Sequence, residues 1–132
     1  MLYIFAPFIG WLLSGTIKFI INYIRFGREA KERVGNGGFP STHTCVMTTT
    51  ISLIGWNEGF FSPLFGLGLA VTYIVIIDAI GLRRAVGKHA ESLNKLNSEW
   101  KHRVSMGHSK IEVLGGILLG FIIGSLLYWI FA

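Results

Sequence analysis

Four apolar stretches separated by polar connections constrain this chain more than any other feature of its sequence. A helix needs about 20 mostly apolar residues to cross a bilayer, because its backbone polar groups find no water there. The stretches cover residues 2–24, 44–61, 63–80 and 111–132. They predict an all-α integral membrane bundle of about four transmembrane helices, with residues 1–132 forming a single membrane-embedded domain.

Composition favours a membrane protein over a basic soluble domain. Only 14% of the 132 residues are charged and 52% are apolar, a balance that is unusual for a soluble domain. A net charge of +5 would suit a nucleic-acid-binding module, but such modules are rarely this apolar, so we expect no nucleic-acid partner. The apolar N-terminus lacks a basic region and a cleavage site, which indicates a retained span.

The second stretch is the weakest of the four spans because it carries several hydroxyl side chains, at Thr48, Thr49, Thr50 and Ser52. Such hydroxyls can donate hydrogen bonds to the carbonyls of their own helix, so they are compatible with a buried span. A tight turn at residues 57–62 is expected to join this span to the third one.

The connection at residues 81–110 contains a helical pattern of its own. Leu82, Val86, His89, Leu93 and Leu96 recur at spacings of three and four, whereas the charged residues fall mostly elsewhere on the helix. The pattern predicts an interfacial amphipathic helix in addition to the transmembrane helices, and an ordinary surface helix packed on the spans stays open as the alternative.

The basic residues are distributed asymmetrically. All twelve Lys and Arg residues lie between Lys18 and Lys110, in or beside the connections at residues 25–43 and 81–110. Four spans bring both connections to the same side of the membrane, and the positive-inside rule makes that side cytoplasmic. We therefore expect a cytoplasmic functional site and both termini outside.

Three clusters of polar residues face that side, and the first is Lys18 with Arg25. Seven residues make nearly two helical turns, so both cations leave one face of the first span. Together they suit a dianionic phosphate. The alternative is that both side chains simply reach toward lipid headgroups.

The second cluster is the sequence Gly-Gly-Phe-Pro-Ser-Thr-His at residues 37–43. It is typical of a helix start, where free backbone N–H groups and the helix dipole favour an oxyanion. Ser41 adds a hydroxyl and His43 a proton donor near neutral pH. A plain capped helix is the alternative.

The third cluster pairs His108 with Glu112, one helical turn apart at the start of the fourth span. A carboxylate that accepts one imidazole N–H leaves the other nitrogen as a nucleophile or base. An incidental pair at a helix cap is the alternative. The sequence has no paired-histidine zinc motif, so we predict neither a metal nor another cofactor.

In order, these residues resemble the motifs of the type 2 phosphatidic acid phosphatase family, which includes the vanadium haloperoxidases. The family's motifs are Lys, six residues, Arg-Pro; then Pro-Ser-Gly-His; then Ser-Arg, five residues, His, three residues, Asp. Here they read Lys18 to Arg25-Phe26, then residues 40–43 as Pro-Ser-Thr-His, then His108 to Glu112. The chain is most similar to the divergent bacterial branch, which carries a Gly-Gly-x-Pro-Ser-x-His turn.

The resemblance implies a phosphatase that acts on a lipid or polyprenyl phosphate through a phosphohistidine. His108 would attack phosphorus, Glu112 would orient it, and His43 would protonate the leaving group. The phosphoryl oxygens would contact Lys18, Arg25, Ser41 and the backbone N–H of Thr42.

The departures from the family concern the third motif most. Arg103 stands four residues before His108 instead of five, with no serine before it. Arg83 or Arg84 is therefore the predicted substitute. The chain also has fewer spans than the six usual in membrane members. Two uses stay open for the glycine ridge (Gly116, Gly120 and Gly124): association into a homodimer, or packing within one chain.

Two other functions fit parts of the pattern. A non-catalytic phospholipid-binding or transport protein would keep the phosphate pocket and would explain the displaced arginine. A haloperoxidase shares the ligands but has little support in so small a membrane chain. The pairing of His108 with Glu112 favours the enzyme, because binding alone requires no oriented nucleophile.

Overall fold

The computed structural model describes residues 1–27, 39–102 and 109–131. These ranges contain five helices and no strand, which confirms the all-α prediction. The helices are α1 (Leu2–Phe26), α2 (Thr42–Glu58), α3 (Pro63–Ile80), α4 (Leu82–Leu96) and α5 (Lys110–Phe131).

Local sequence signals set the ends of the central helices. Ser41 caps α2, because its side chain accepts the backbone N–H of Thr44, and Ser62 caps α3 by accepting that of Phe65. Pro63 occupies the start of α3, where its missing N–H costs nothing. Gly59 ends α2 with a φ of 98°, a conformation that favours glycine. The predicted turn between the second and third stretches is thus confirmed.

Helix α2 is the centre of the bundle. It packs against α1, α3 and α5, and much of its surface is buried. Two of its hydroxyls bond back to their own helix, Thr49 to the Cys45 carbonyl at 2.8 Å and Thr50 to the Val46 carbonyl at 3.1 Å, whereas the buried Thr48 hydroxyl has no hydrogen-bond partner among the described residues. Neighbouring helices therefore surround the polar side chains that weakened the prediction of a span here.

Within the described residues, three stretches rather than four are long and apolar enough to cross a membrane by themselves: Leu2–Arg25, Pro63–Leu96 and Lys110–Phe131. Helix α2 has only 17 residues and is more polar than these. The difference from the prediction follows from its position, because a helix enclosed by three apolar neighbours needs no apolar surface of its own. The chain is a helical membrane bundle.

The glycine ridge of α5 packs against α2 within the chain. A Cβ on Gly120 would lie 2.6 Å from the Thr48 Cβ and 2.8 Å from the Cys45 carbonyl oxygen. On Gly124 it would lie 2.6 Å from the Thr49 carbonyl oxygen. The two backbones approach too closely for any side chain. The ridge therefore serves packing inside one chain, while a homodimer stays a prediction.

Helices α1 and α2 run antiparallel. Near one end of the pair, the Tyr3 hydroxyl donates to the Glu58 carboxylate at 3.0 Å. Near the other end, the Lys18 ammonium donates to the Thr42 hydroxyl at 3.0 Å. The C-terminal part of α1 therefore lies beside the first turn of α2.

Helices α2 and α5 run parallel. At their starts, the backbone N–H of Ser41 donates to the Glu112 carbonyl at 3.0 Å. Near their ends, the Trp56 indole N–H donates to the Ser125 hydroxyl at 2.9 Å, within a group of stacked aromatic rings. Because α3 returns antiparallel to α2, the described ends of both basic connections lie at the same end of the bundle, as predicted.

Large apolar side chains cover the outside of α1, α3 and α5. Examples are Phe8, which is 64% exposed, Ile74, which is 65% exposed, and Leu118, which is 58% exposed. A soluble monomer rarely exposes apolar surface on this scale. These faces are suited to contact with lipid.

Candidate functional site

The site is assembled where the C-terminal part of α1 meets the starts of α2 and α5. We call this cluster the polar end and define it by Ser14, Lys18, Ser41, Thr42 and Glu112. Two contacts hold it together: Lys18 to Thr42, and Ser41 to the Glu112 backbone. Residues from all three predicted motifs, which are far apart in the sequence, are thereby brought to one place.

Thr42 is the centre of a hydrogen-bond network in the polar end. Its hydroxyl oxygen accepts the Lys18 ammonium at 3.0 Å and the Ser14 hydroxyl at 3.1 Å. A lysine ammonium has three N–H groups, and Thr42 accepts one of them. The others can reach an oxyanion while the Thr42 hydroxyl fixes the position of the nitrogen.

Lys18 also interacts electrostatically with Glu112, the acidic residue in the first turn of α5. The Glu112 carboxylate therefore lies within electrostatic reach of the predicted phosphate-binding cation. A negative charge at a helix start is stabilised by the helix dipole. The Ser109 hydroxyl accepts the backbone N–H of Glu112 at 3.3 Å and so caps the same turn.

Ser41 is fully buried, and its side chain has structural partners. Its Oγ lies 2.9 Å from the Thr44 Oγ1 and accepts the Thr44 backbone N–H at 3.4 Å. The hydroxyl thus caps α2 in this structure, and its predicted contact with phosphate stays a prediction. His43 and Arg25 are exposed, one in the first turn of α2 and the other in the last turn of α1.

Two of the predicted residues lie outside the described part of the chain. These are the nucleophile His108, which directly precedes Ser109 in the sequence, and Arg103. The predicted pairing of His108 with Glu112 and the register of Arg103 are therefore not described by the structure.

The predicted substitutes for the third-motif arginine are not joined to the polar end. Arg83 forms an ion pair with Asp78, with 2.6 Å between its Nε and the carboxylate. Among the described helices, α4 contacts only α3, and no ion pair or hydrogen bond links Arg83 or Arg84 to α1, α2 or α5.

Sequence reasoning missed Ser14 and the role of the Thr42 side chain. Ser14 is completely buried, four residues before Lys18 and therefore on the same face of α1. A hydroxyl one helical turn before the lysine of the first span was the available signal. Thr42 was considered only for its backbone N–H, because the resembling motif carries glycine at that position.

Metal ligation has no visible basis in this part of the chain. Across residues 1–27, 39–102 and 109–131, no three His, Cys, Asp or Glu side chains gather where they could hold a metal ion. The groups that do gather are a cation, hydroxyls, backbone N–H groups and one carboxylate. This set can bind an oxyanion and position a proton-transfer group.

The protein is a helical membrane bundle with a cluster of polar residues at one end. A model of the Divergent PAP2 family matches residues 2–123, and the chain belongs to that family.

A curated relative is also a membrane protein. The chain is 28% identical over 115 residues to the Uncharacterized membrane protein YuiD of Bacillus subtilis (strain 168), with 72% of this chain and 73% of the relative covered. No solved structure matches the chain significantly.

Proposed function

We propose that this protein is an integral-membrane phosphatase that hydrolyses a lipid or polyprenyl phosphate through a phosphohistidine intermediate. The observation that carries the proposal is the contact of Lys18 with Thr42, next to the backbone bond between Ser41 and Glu112. These contacts join the C-terminal part of α1 and the start of α2, which we propose to bind phosphate, to the start of α5, which follows His108 in the sequence.

In the first chemical step, an imidazole nitrogen of His108 attacks phosphorus while the bond from phosphorus to the alkoxide oxygen breaks. His43 gives its proton to that oxygen, so the lipid leaves as a neutral alcohol. In the second step, water gives a proton to His43 and attacks phosphorus, the bond from phosphorus to the His108 nitrogen breaks, and inorganic phosphate leaves. Glu112 accepts the other N–H of His108 and keeps the attacking lone pair directed at phosphorus.

The cations and helix starts provide the electrostatic part of the reaction. Lys18 and Arg25 bind the phosphoryl oxygens, and the backbone N–H groups of the first turn of α2 add neutral donors. Phosphoryl transfer requires little else from a protein than positioning and stabilisation of charge. A fixed ammonium, such as that of Lys18 on Thr42, suits this requirement.

The test is phosphate release by the purified protein from a panel of lipid monophosphates and pyrophosphates. We expect His108→Ala to abolish release and Glu112→Gln to slow it, while both variants stay folded and inserted. Turnover should persist in excess chelator and be inhibited by vanadate, which mimics the five-coordinate transition state. Full activity in His108→Ala, or activity restored only by added metal, would contradict the mechanism.

A phospholipid-binding protein without catalysis is the second candidate. The observation that favours it is the engagement of Arg83 by Asp78, which leaves the third-motif arginine unassigned among the described residues. This candidate predicts saturable binding of lipid phosphates that weakens in Lys18→Met, with no phosphate release under any condition.

We further propose that the polar end faces the cytoplasm, because all twelve Lys and Arg residues lie between Lys18 and Lys110. Cysteines placed at exposed Ser98 and Asn57, in a Cys45→Ser background, report on opposite ends of the bundle. In intact cells an impermeant thiol reagent should label Asn57→Cys only, and lysis should add Ser98→Cys. The reverse pattern would make the substrate an outer-leaflet lipid.

A further inference from the structure

Helix α4 begins at the boundary of the membrane. Helix α3 has 18 residues, which span about 27 Å and so nearly the whole hydrocarbon core. Only Gly81 separates α3 from α4. The ion pair between Asp78 and Arg83 crosses this junction at 2.6 Å.

One face of α4 is apolar and has no partner among the described helices. Leu82 is 66% exposed, Val86 44%, Leu93 41% and Leu96 80%. These residues follow one another at helical spacing, and α4 contacts no described helix except α3. Helix α4 does pack on α3 and buries Gly87 and Ala90, but among the described residues its apolar face contacts no other helix.

The opposite face of α4 is exposed and basic. It carries Arg84, Lys88, Glu91 and Lys95, all of which are exposed. Lys95 lies 3.5 Å from the Glu91 carboxylate, so these two charges offset each other. No ion pair joins Arg84 or Lys88 to the described residues, which leaves two positive charges available to an outside partner.

We propose that α4 lies in the membrane interface, with its apolar face among the acyl chains and Arg84 and Lys88 bound to anionic phospholipid headgroups. Its start at the end of a span puts the apolar face at the depth where acyl chains begin. The two available cations match an anionic surface, as in other interfacial helices. The proposal depends on the membrane bundle and not on phosphatase activity.

At the interface, Arg84 has a different role from the one predicted from the sequence. Arg84 was predicted to bind the substrate phosphate, yet no contact joins it to the polar end. At the interface it still binds phosphate, but that of a surrounding lipid headgroup.

The test uses the full-length protein in lipid nanodiscs, with a fluorophore attached to Val86→Cys or to Glu91→Cys in a Cys45→Ser background. Lipids with brominated acyl chains quench only fluorophores that reach the hydrocarbon. We expect strong quenching at position 86 and little at position 91. Equal, weak quenching at both positions would overturn the proposal, because α4 would then stand in water.

A third result would also overturn it. If the fluorophore at position 86 is shielded from both brominated lipid and aqueous iodide, a protein surface covers the apolar face. Chemical cross-linking at position 86 would then show whether that surface is a second copy of this chain.

Charge selectivity is tested with brominated phosphatidylglycerol against brominated phosphatidylcholine at equal mole fraction. A cation near an anionic surface contributes about fivefold in association, so we expect a preference for the anionic lipid of up to about 25-fold. The preference should vanish in Arg84→Gln/Lys88→Gln. The matched control Lys101→Gln/Lys110→Gln removes two exposed cations elsewhere and should keep it. An unchanged preference in the first double variant would refute the headgroup contacts.

Discussion

The polar end and the glycine ridge lie on the same pair of helices but are built in different ways. The polar end is joined by side-chain hydrogen bonds, with Thr42 accepting from both Ser14 and Lys18. The glycine ridge instead brings the α5 backbone against backbone and Cβ atoms of α2, as between Gly120 and both the Cys45 carbonyl oxygen and the Thr48 Cβ. Hydrogen-bonding groups are therefore concentrated at one end, and close packing extends along the remainder of the pair.

The polar contacts and the close packing of α2 on α5 therefore depend on separate residues in this fold. Side chains of the polar end can be changed without altering the distance between α2 and α5, because the glycines set that distance. Substitutions at Gly120 and Gly124 would change that distance without removing any predicted phosphate ligand, whereas a Cβ on Gly116 would also meet the Ser41 carbonyl oxygen. Mutations in the two regions should consequently affect different measurements.

Of the three substitutions, Lys18→Met should give the largest effect, and it should lower turnover without lowering stability. It removes the ammonium that Thr42 positions while keeping a side chain of similar length. Losing one charged contact to a developing oxyanion typically costs about 10²–10³-fold in turnover. The measurement is kcat for phosphate release, with the thermal unfolding temperature in detergent recorded in parallel.

Lys101→Met is the matched control, since Lys101 is exposed in the connection after α4. It should retain near-normal turnover. If both variants lost activity equally, general charge near the membrane rather than the polar end would be responsible.

Gly120→Ala should give an intermediate effect, and the quantity it changes most should be the stability of the fold. The added methyl would meet the Cys45 carbonyl oxygen and the Thr49 nitrogen, backbone atoms that cannot rotate away. Overpacking of this kind costs about 1–3 kcal/mol, so the unfolding temperature in detergent should fall. Gly66→Ala is the control, because nothing lies within 4 Å of the new methyl there. Equal unfolding temperatures for the two variants would show that the ridge is not close-packed.

Thr42→Val should give the smallest of the three effects. It removes the hydroxyl that accepts from Lys18 and Ser14 but keeps the shape and the backbone N–H. We expect about a tenfold loss of kcat, because the ammonium is retained but no longer held. Thr42→Ser restores a hydroxyl and should recover most of the loss. A serine variant as slow as the valine variant would assign Thr42 a packing role only.

Most of the fold could be predicted from sequence because bilayer thickness fixes the length of an apolar helix. The stretches for α1, α3 and α5 follow from composition alone, and Ser62-Pro63 marks the start of α3. The central position of α2 could not be predicted from composition. Its polar residues weaken the pattern of a span, and only the assembled bundle shows that other helices surround it.

The site was predictable where a residue's role depends on its type and spacing, and not where it depends on long-range contacts. Lys18 and the helix start at Ser41 could be identified from charge and turn chemistry. The pairing of Arg83 with Asp78 could not, because a basic residue in a connection is equally suited to a substrate or a nearby carboxylate. Ser14 acquires its role only through Thr42, 28 positions later.

The hydrogen bond between the Ser41 N–H and the Glu112 carbonyl depends little on which side chains stand at these two positions. Both partners are main-chain groups, so at position 41 only proline would remove the donor, and no substitution at position 112 removes the acceptor. The two helix starts are therefore linked regardless of the side chains there. Thr42 and Glu112, where the resembling motifs carry Gly and Asp, are replacements that such a link can tolerate. The side chains of the polar end can therefore change while this backbone link between the two helix starts is retained.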